Sequence, residues 1–103
     1  MRVYFAYYPE GKSKALTMSY DDGQIHDRRL VEIFNKYGIK ATFHLNAGIL
    51  DKPGFLTSSE IRDLFRGHEI SAHSLTHPFL TGVPGDVVVH EILEDRKRLE
   101  ELA

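Results

Sequence analysis

A chain of 103 residues has room for one domain and one hydrophobic core, not two. Its 13 basic and 15 acidic residues are interspersed and leave a net charge of −2, so no basic stripe recommends nucleic acid or an anionic membrane as a partner. The absence of cysteine removes disulfides, thiolate metal sites and cysteine nucleophiles together, and any chemistry falls to His, Asp and Glu.

The opening residues 1–8 are β-prone and aromatic, with Pro9-Glu10-Gly11-Lys12 as the turn that follows. They read as no signal peptide, so a cytoplasmic location is the default expectation and localisation is otherwise unassigned. Tyr4, Phe5, Tyr7 and Tyr8 are expected to pack in a core or an interface. Residues 14–20 predict a first strand, its small and apolar residues mixed as suits a strand covered on both faces. Asp27 then stands where a helix cap is wanted. Leu30, Val31, Phe34 and Tyr37 follow at helical spacing, and Gly38 suits a left-handed C-terminal cap.

A second strand is predicted over residues 39–45, followed by a loop through Pro53-Gly54. Thr57-Ser58-Ser59-Glu60 matches a capping box ahead of a short helix containing Ile61, Leu64 and Phe65. Residues 68–72 predict the third strand. Pro84-Gly85-Asp86 opens a long helix in which Val88, Ile92, Leu99 and Leu102 share a face, while Glu91, Glu94, Asp95, Arg96, Lys97 and Arg98 are expected in solvent. Three successive βα units imply parallel strands, because right-handed crossovers join them.

That topology puts two motifs on one rim. Ser19-Tyr20-Asp21-Asp22-Gly23 ends the first strand, and His73-Ser74-Leu75-Thr76-His77-Pro78 follows the third. The carboxyl ends of parallel strands carry the chemistry of α/β folds. Asp-Gly alone is common turn chemistry, and an isolated H-x-x-x-H usually joins two unrelated histidines. Their placement on one rim instead makes a facial set of two imidazoles and a carboxylate with open positions. Adjacent carboxylates at a strand end diverge, so one can ligate an ion while the other stands beside the bound water as general base.

The same residues resemble the T-F-D-D-G and H-[ST]-x-x-H-P motifs of the polysaccharide deacetylase family, the NodB homology domain of carbohydrate esterase family 4. Ala41-Thr42-Phe43 and Gly67-His68-Glu69-Ile70 resemble its connecting segments, so the likeness runs over roughly residues 14–102. The resemblance implies an α/β fold, a partial (β/α) barrel of the NodB type with about three βα units. It implies Asp21 as catalytic base and Asp22, His73 and His77 as metal ligands. Zn²⁺ is the implied ion, with Co²⁺, Fe²⁺, Ni²⁺ or Mn²⁺ as alternatives, and acetylated carbohydrate polymers are the implied substrates. Ser19 and Tyr20 replace the usual Thr and Phe.

The family's later motifs, an arginine that orients the base and a histidine that acts as general acid, do not appear after Pro78. A complete barrel typically takes ~250 residues. Residues 1–103 are therefore expected to be the N-terminal part of such a domain, with ion binding retained and turnover poor. Rival readings are a cyclic-amide hydrolase of the allantoinase type, a truncated non-catalytic metal-binding module, and an Fe(II) oxygenase, which the βα rhythm disfavours. The open parallel edge of a three-stranded sheet invites self-association. His26, His44, His68 and His90 are expected to be structural or exposed, and Asn46 lies on the rim within reach of substrate.

Overall fold

The computed structural model describes residues 1 and 6–103. Three short strands, β1 (Ser19–Asp21), β2 (Thr42–Leu45) and β3 (Glu69–Ala72), form one parallel sheet in the order β1-β2-β3. Three α-helices alternate with them: α1 (Asp27–Tyr37), α2 (Ile61–Leu64) and α3 (Gly85–Leu102). The βα rhythm and the parallel direction expected from the sequence are both present. The strands are shorter than expected: residues 14–18 and 39–41 run outside the ladder, and pairing begins at Ser19↔Thr42 and Thr42↔Glu69. Of the β-prone opening segment, residues 2–5 lie outside the described part. Tyr7 and Tyr8 are exposed rather than packed, and Pro9–Gly11 forms the expected turn as a single 3-10 turn.

Alternation along β2 gives the sheet two unlike faces. Phe43 and Leu45 are fully buried and point to the helices, while Thr42 and His44 point to the opposite, polar face. On the helix side Phe43 lies 4.5 Å from Phe65 and 5.9 Å from Tyr20 between ring centroids, and Tyr20 lies 5.7 Å from Phe34. Val31, Leu50, Leu56, Ile61 and Leu99 complete this core. On the polar face the Ser19 hydroxyl bonds His44 Nε2 at 2.7 Å, and the Thr42 hydroxyl donates to the Glu69 carboxylate.

Helix ends follow the sequence with one change. Gly38 takes the left-handed conformation at φ 66° and its N–H closes on the carbonyls of Phe34 and Asn35. Asp27 is the first residue of α1 rather than its cap, and His26 occupies the cap position without a side-chain bond. The capping box of Thr57 and Glu60 forms, with the Glu60 carboxylate accepting the Thr57 N–H at 2.6 Å. Arg28 adds a bidentate pair to the same carboxylate at 2.8 Å for each bond, tying α1 to the start of α2. His68 is structural as expected: its Nδ1 accepts the Ala41 N–H and its Nε2 meets the Asn35 amide, and burial, then the Lys40 charge, pulls its pKa down. No helix among the described residues is long and apolar enough to cross a membrane.

The long helix corrects the sequence reading. Glu91 and Asp95, expected in solvent, are buried, Asp95 completely, whereas Ile92 is 45% exposed. The buried stripe is Glu91, Asp95 and Leu99, with Leu102 packed against the core and Val88 half-buried at the same spacing, so of the expected face Ile92 alone turns to solvent. The carboxylates turn inward onto backbone amides of two loops, those of Ala47, His73 and Thr76.

Candidate metal centre

β2 acts as the reference for both halves of the rim. Its last two carbonyls point to opposite neighbours: His44 O accepts the Asp22 N–H at 2.8 Å, and Leu45 O accepts the His73 N–H at 3.0 Å. The first residue past β1 and the first past β3 are thereby fixed on either side of one strand. Asp22 Oδ1 then lies 3.6 Å from His73 Nε2 and 3.5 Å from His77 Nε2, and the three ligand atoms all fall within 4.8 Å of one another. The structure thus brings together the three residues the sequence singled out.

Those separations are too long for hydrogen bonds, which for N–H···O run ~2.7–3.2 Å. Asp22 Oδ1 is buried and has no hydrogen-bond partner among the described residues. Bonds of ~2.0–2.2 Å from N and O donors to a tetrahedral divalent ion place neighbouring donors about 3.4 Å apart. The donor set, its spacing and the orphaned oxygen therefore fit a zinc-type cation. Asp21, the last residue of β1, is exposed and sits opposite His44 in the register. The His44 ring centroid lies 6.1 Å from that of His73, so a further imidazole borders the group. An open cleft of about 410 Å³ adjoins it, lined by His73, Ser74, His77, Pro78, Leu80 and Ile92.

The backbone here is strained. Among the described residues five non-glycine positions have positive φ, and three of them are Asp22 (77°), Ser74 (67°) and His77 (58°). Each such conformation costs on the order of 1–3 kcal/mol and persists only where surroundings over-determine it. The surroundings are polar and buried. Asn46, expected within reach of substrate, is fully buried; its Nδ2 donates to the carbonyls of His73 and Ser74, at 2.5 and 2.7 Å. Asp95 Oδ2 accepts the His73 N–H at 2.9 Å and Oδ1 the Ala47 N–H at 2.6 Å, while Glu91 takes the Thr76 N–H and hydroxyl, both at 2.8 Å. Burial raises the Asp95 pKa against the pull of those amides. At Glu91 burial is outweighed by the bonds from Thr76, and its pKa lies below the usual value.

Asp27 is a third buried carboxyl, 7% exposed, with Oδ2 unpartnered among the described residues. Burial pushes its pKa up from 3.8 to about 6, with His26 opposing and the charge of Asp22 adding to the rise. Sequence reasoning missed Asn46, Glu91 and Asp95 as supports of the loop. One signal was available: Glu91, Asp95, Leu99 and Leu102 recur at helical spacing, so the two acids lie in phase with two leucines.

The sequence profile of the family described as polysaccharide deacetylase matches residues 8–103. The peptidoglycan-N-acetylglucosamine deacetylase PgdA of Listeria monocytogenes is 29% identical over 93 residues, spanning 86% of this chain and 19% of that protein. The chain thus spans about a fifth of the length of the curated relatives it matches. The Streptococcus pyogenes deacetylase PplD, solved in complex with acetate, superposes with a TM-score of 0.78 at 23% identity, over 87% of this chain and 42% of its own. The polysaccharide deacetylase BC0361 of Bacillus cereus gives 0.79 at 20% identity, over 90% and 31%. At such identities these two structures speak for the fold alone.

Proposed function

Because the chain belongs to the polysaccharide deacetylase family, we propose that it carries the ion-binding part of a metal-dependent hydrolase site that removes acetyl groups from N- or O-acetylated carbohydrate polymers. The observation that carries this reading is the convergence of His73 Nε2 and His77 Nε2 on Asp22 Oδ1, a buried oxygen with no hydrogen-bond partner among the described residues. Asp22, His73 and His77 would hold the ion, and Zn²⁺ suits two nitrogens and one oxygen best. A bound divalent ion supplies Lewis acidity to the acetyl carbonyl and acidifies the attacking water.

The chain's own residues do the remaining work. Asp21 takes a proton from water as its oxygen bonds to the acetyl carbon. The bond from that carbon to the sugar nitrogen or oxygen then breaks, acetate leaves, and the sugar amine or hydroxyl takes up the proton equivalent that Asp21 removed from water. The exposure of Asp21 on the polar face of the sheet suits a base that must meet solvent and substrate. The cleft lined by His73, His77, Pro78 and Leu80 gives the substrate a route to these groups. That the reported relative is a peptidoglycan deacetylase favours an acetylated glycan over a cyclic amide.

Calorimetric titration of the chain with Zn²⁺, beside Asp22→Asn and His77→Ala variants, tests the ligand set. One site per chain is expected in the wild type and none in either variant. Asp21→Asn should retain the ion, and any acetate release from peptidoglycan by the wild type should be absent in it. Absence of wild-type binding, or equal binding by Asp22→Asn, would overturn the reading.

A further inference from the structure

The loop that carries both imidazoles is gripped from two sides. On one, α3 supplies Asp95 to the His73 N–H and Glu91 to the N–H and hydroxyl of Thr76, and the Glu91 carbonyl accepts the Leu75 N–H at 3.0 Å. On the other, Asn46 holds the carbonyls of His73 and Ser74, and the Gly48 N–H donates to Leu75 O at 2.8 Å. Three amides and three carbonyls between His73 and Thr76 are thereby engaged. Ser74 and His77, the non-glycine residues of this loop in left-handed conformation, would otherwise relax toward ordinary backbone angles.

Stability alone does not explain the acids. Each is buried, and among the described residues neither is paired with a lysine or arginine. Taking a carboxylate out of water without a cation is costly, and an apolar side chain would continue the stripe formed by Leu99 and Leu102. What the carboxylates give in return is position. Asp95 is a bridge, since its two oxygens join Ala47, in the loop after β2, to His73, in the loop after β3. The imidazole of His73 is thus set against β2, and through the His44 carbonyl β2 also holds Asp22.

We infer that Asp95 and Glu91 are positioning residues that set the divalent-ion affinity of the Asp22, His73 and His77 group by holding its loop in a strained conformation. The inference rests on the ion-binding reading proposed above. Neither acid belongs to the ligand set; Asp95 acts through the backbone of His73, and Glu91 through Thr76, the residue before His77.

The test is a Co²⁺ titration of the full chain and of Asp95→Asn, Glu91→Gln and Val31→Ala, with affinity from chelator competition, geometry from the visible absorption of the bound ion, and thermal unfolding of the same samples. Both isosteric variants are expected to bind ~10–100-fold more weakly, with an altered visible spectrum, as for other groups that orient metal ligands. Val31→Ala, which opens the core at α1 away from the loop, is expected to unfold earlier yet bind with wild-type affinity. Wild-type affinity and spectrum in both isosteric variants would overturn the inference. So would weakening in Val31→Ala in proportion to its lost stability. Glu91→Gln keeps the test open should Asp95→Asn fail to fold. A wild-type chain that binds no Co²⁺ would overturn the ion-binding reading itself, which is a different result from equal binding by all four proteins.

Discussion

Replacing Asp27 by Asn should stabilise the chain at neutral pH and leave it almost unchanged in acid. The carboxyl is 7% exposed, its Oδ2 has no partner, and its pKa is raised from 3.8 to about 6. A raised carboxyl pKa means that the folded state binds the proton more tightly than the unfolded state. The stabilising contribution is then complete below pH 3.8 and is lost as pH rises through 6. At 1.36 kcal/mol per pKa unit, the interval from 3.8 to 6 corresponds to a penalty of about 3 kcal/mol for carrying the charged side chain at pH 8. Asn keeps the shape and removes the charge. Urea unfolding of both proteins at pH 4 and pH 8 should show no more than a few tenths of a kcal/mol between them at the first, and on the order of 1–3 kcal/mol in favour of Asn at the second. All other groups titrate alike in the two proteins and cancel in the difference. A gap that stays constant with pH, or a variant less stable at pH 8, would refute the reasoning.

Glu60→Gln should have the opposite pH profile. Arg28 first, and the Thr57 bonds with it, hold the Glu60 pKa down from 4.5 to about 2, so its contribution is present above pH 4.5 and fades as pH falls toward 2. Because the pair is partly exposed, about 1 kcal/mol is expected at pH 7 in urea melts, and a shrinking loss on acidification. Gly48→Ala tests the far side of the loop. A Cβ there would lie 2.5 Å from the Leu75 carbonyl oxygen, so the two loops must part, at ~1–3 kcal/mol in urea unfolding and with weaker Zn²⁺ uptake by titration.

The parallel βα order was legible because apolar period, glycine cap and capping box agree with one another at Leu30 to Gly38 and at Thr57 to Glu60. The rim could be assembled from it, since a parallel sheet fixes which loops share an end. Strand lengths were not legible. Residues 14–18 and 39–41 have the composition of strands, but pairing depends on partners distant in the sequence, and it begins only at Ser19 and Thr42. Glu91 and Asp95 of α3 were misjudged because acids on a helix are normally solvated. Asp95 and Glu91 are drawn inward by the amides of Ala47, His73 and Thr76, which belong to loops whose course no local pattern reveals. Asn46 was misplaced for the same reason: its amide faces two carbonyls brought to it by β3.

The two carbonyls at the end of β2 have a consequence for how the chain folds. Asp22 and His73 come together only once both outer strands have docked on the middle one, with His44 and Leu45 as the last rungs of the two ladders. Parallel pairing between distant segments is slow, because loop closure comes before any contact rewards it. An ion held by Asp22, His73 and His77 together, as proposed, would be captured only after both closures, and by mass action it would then stabilise the assembled sheet against reopening. Rapid mixing of refolding chain with Co²⁺ would therefore time the docking of the final strand, the ion serving as a clock for topology.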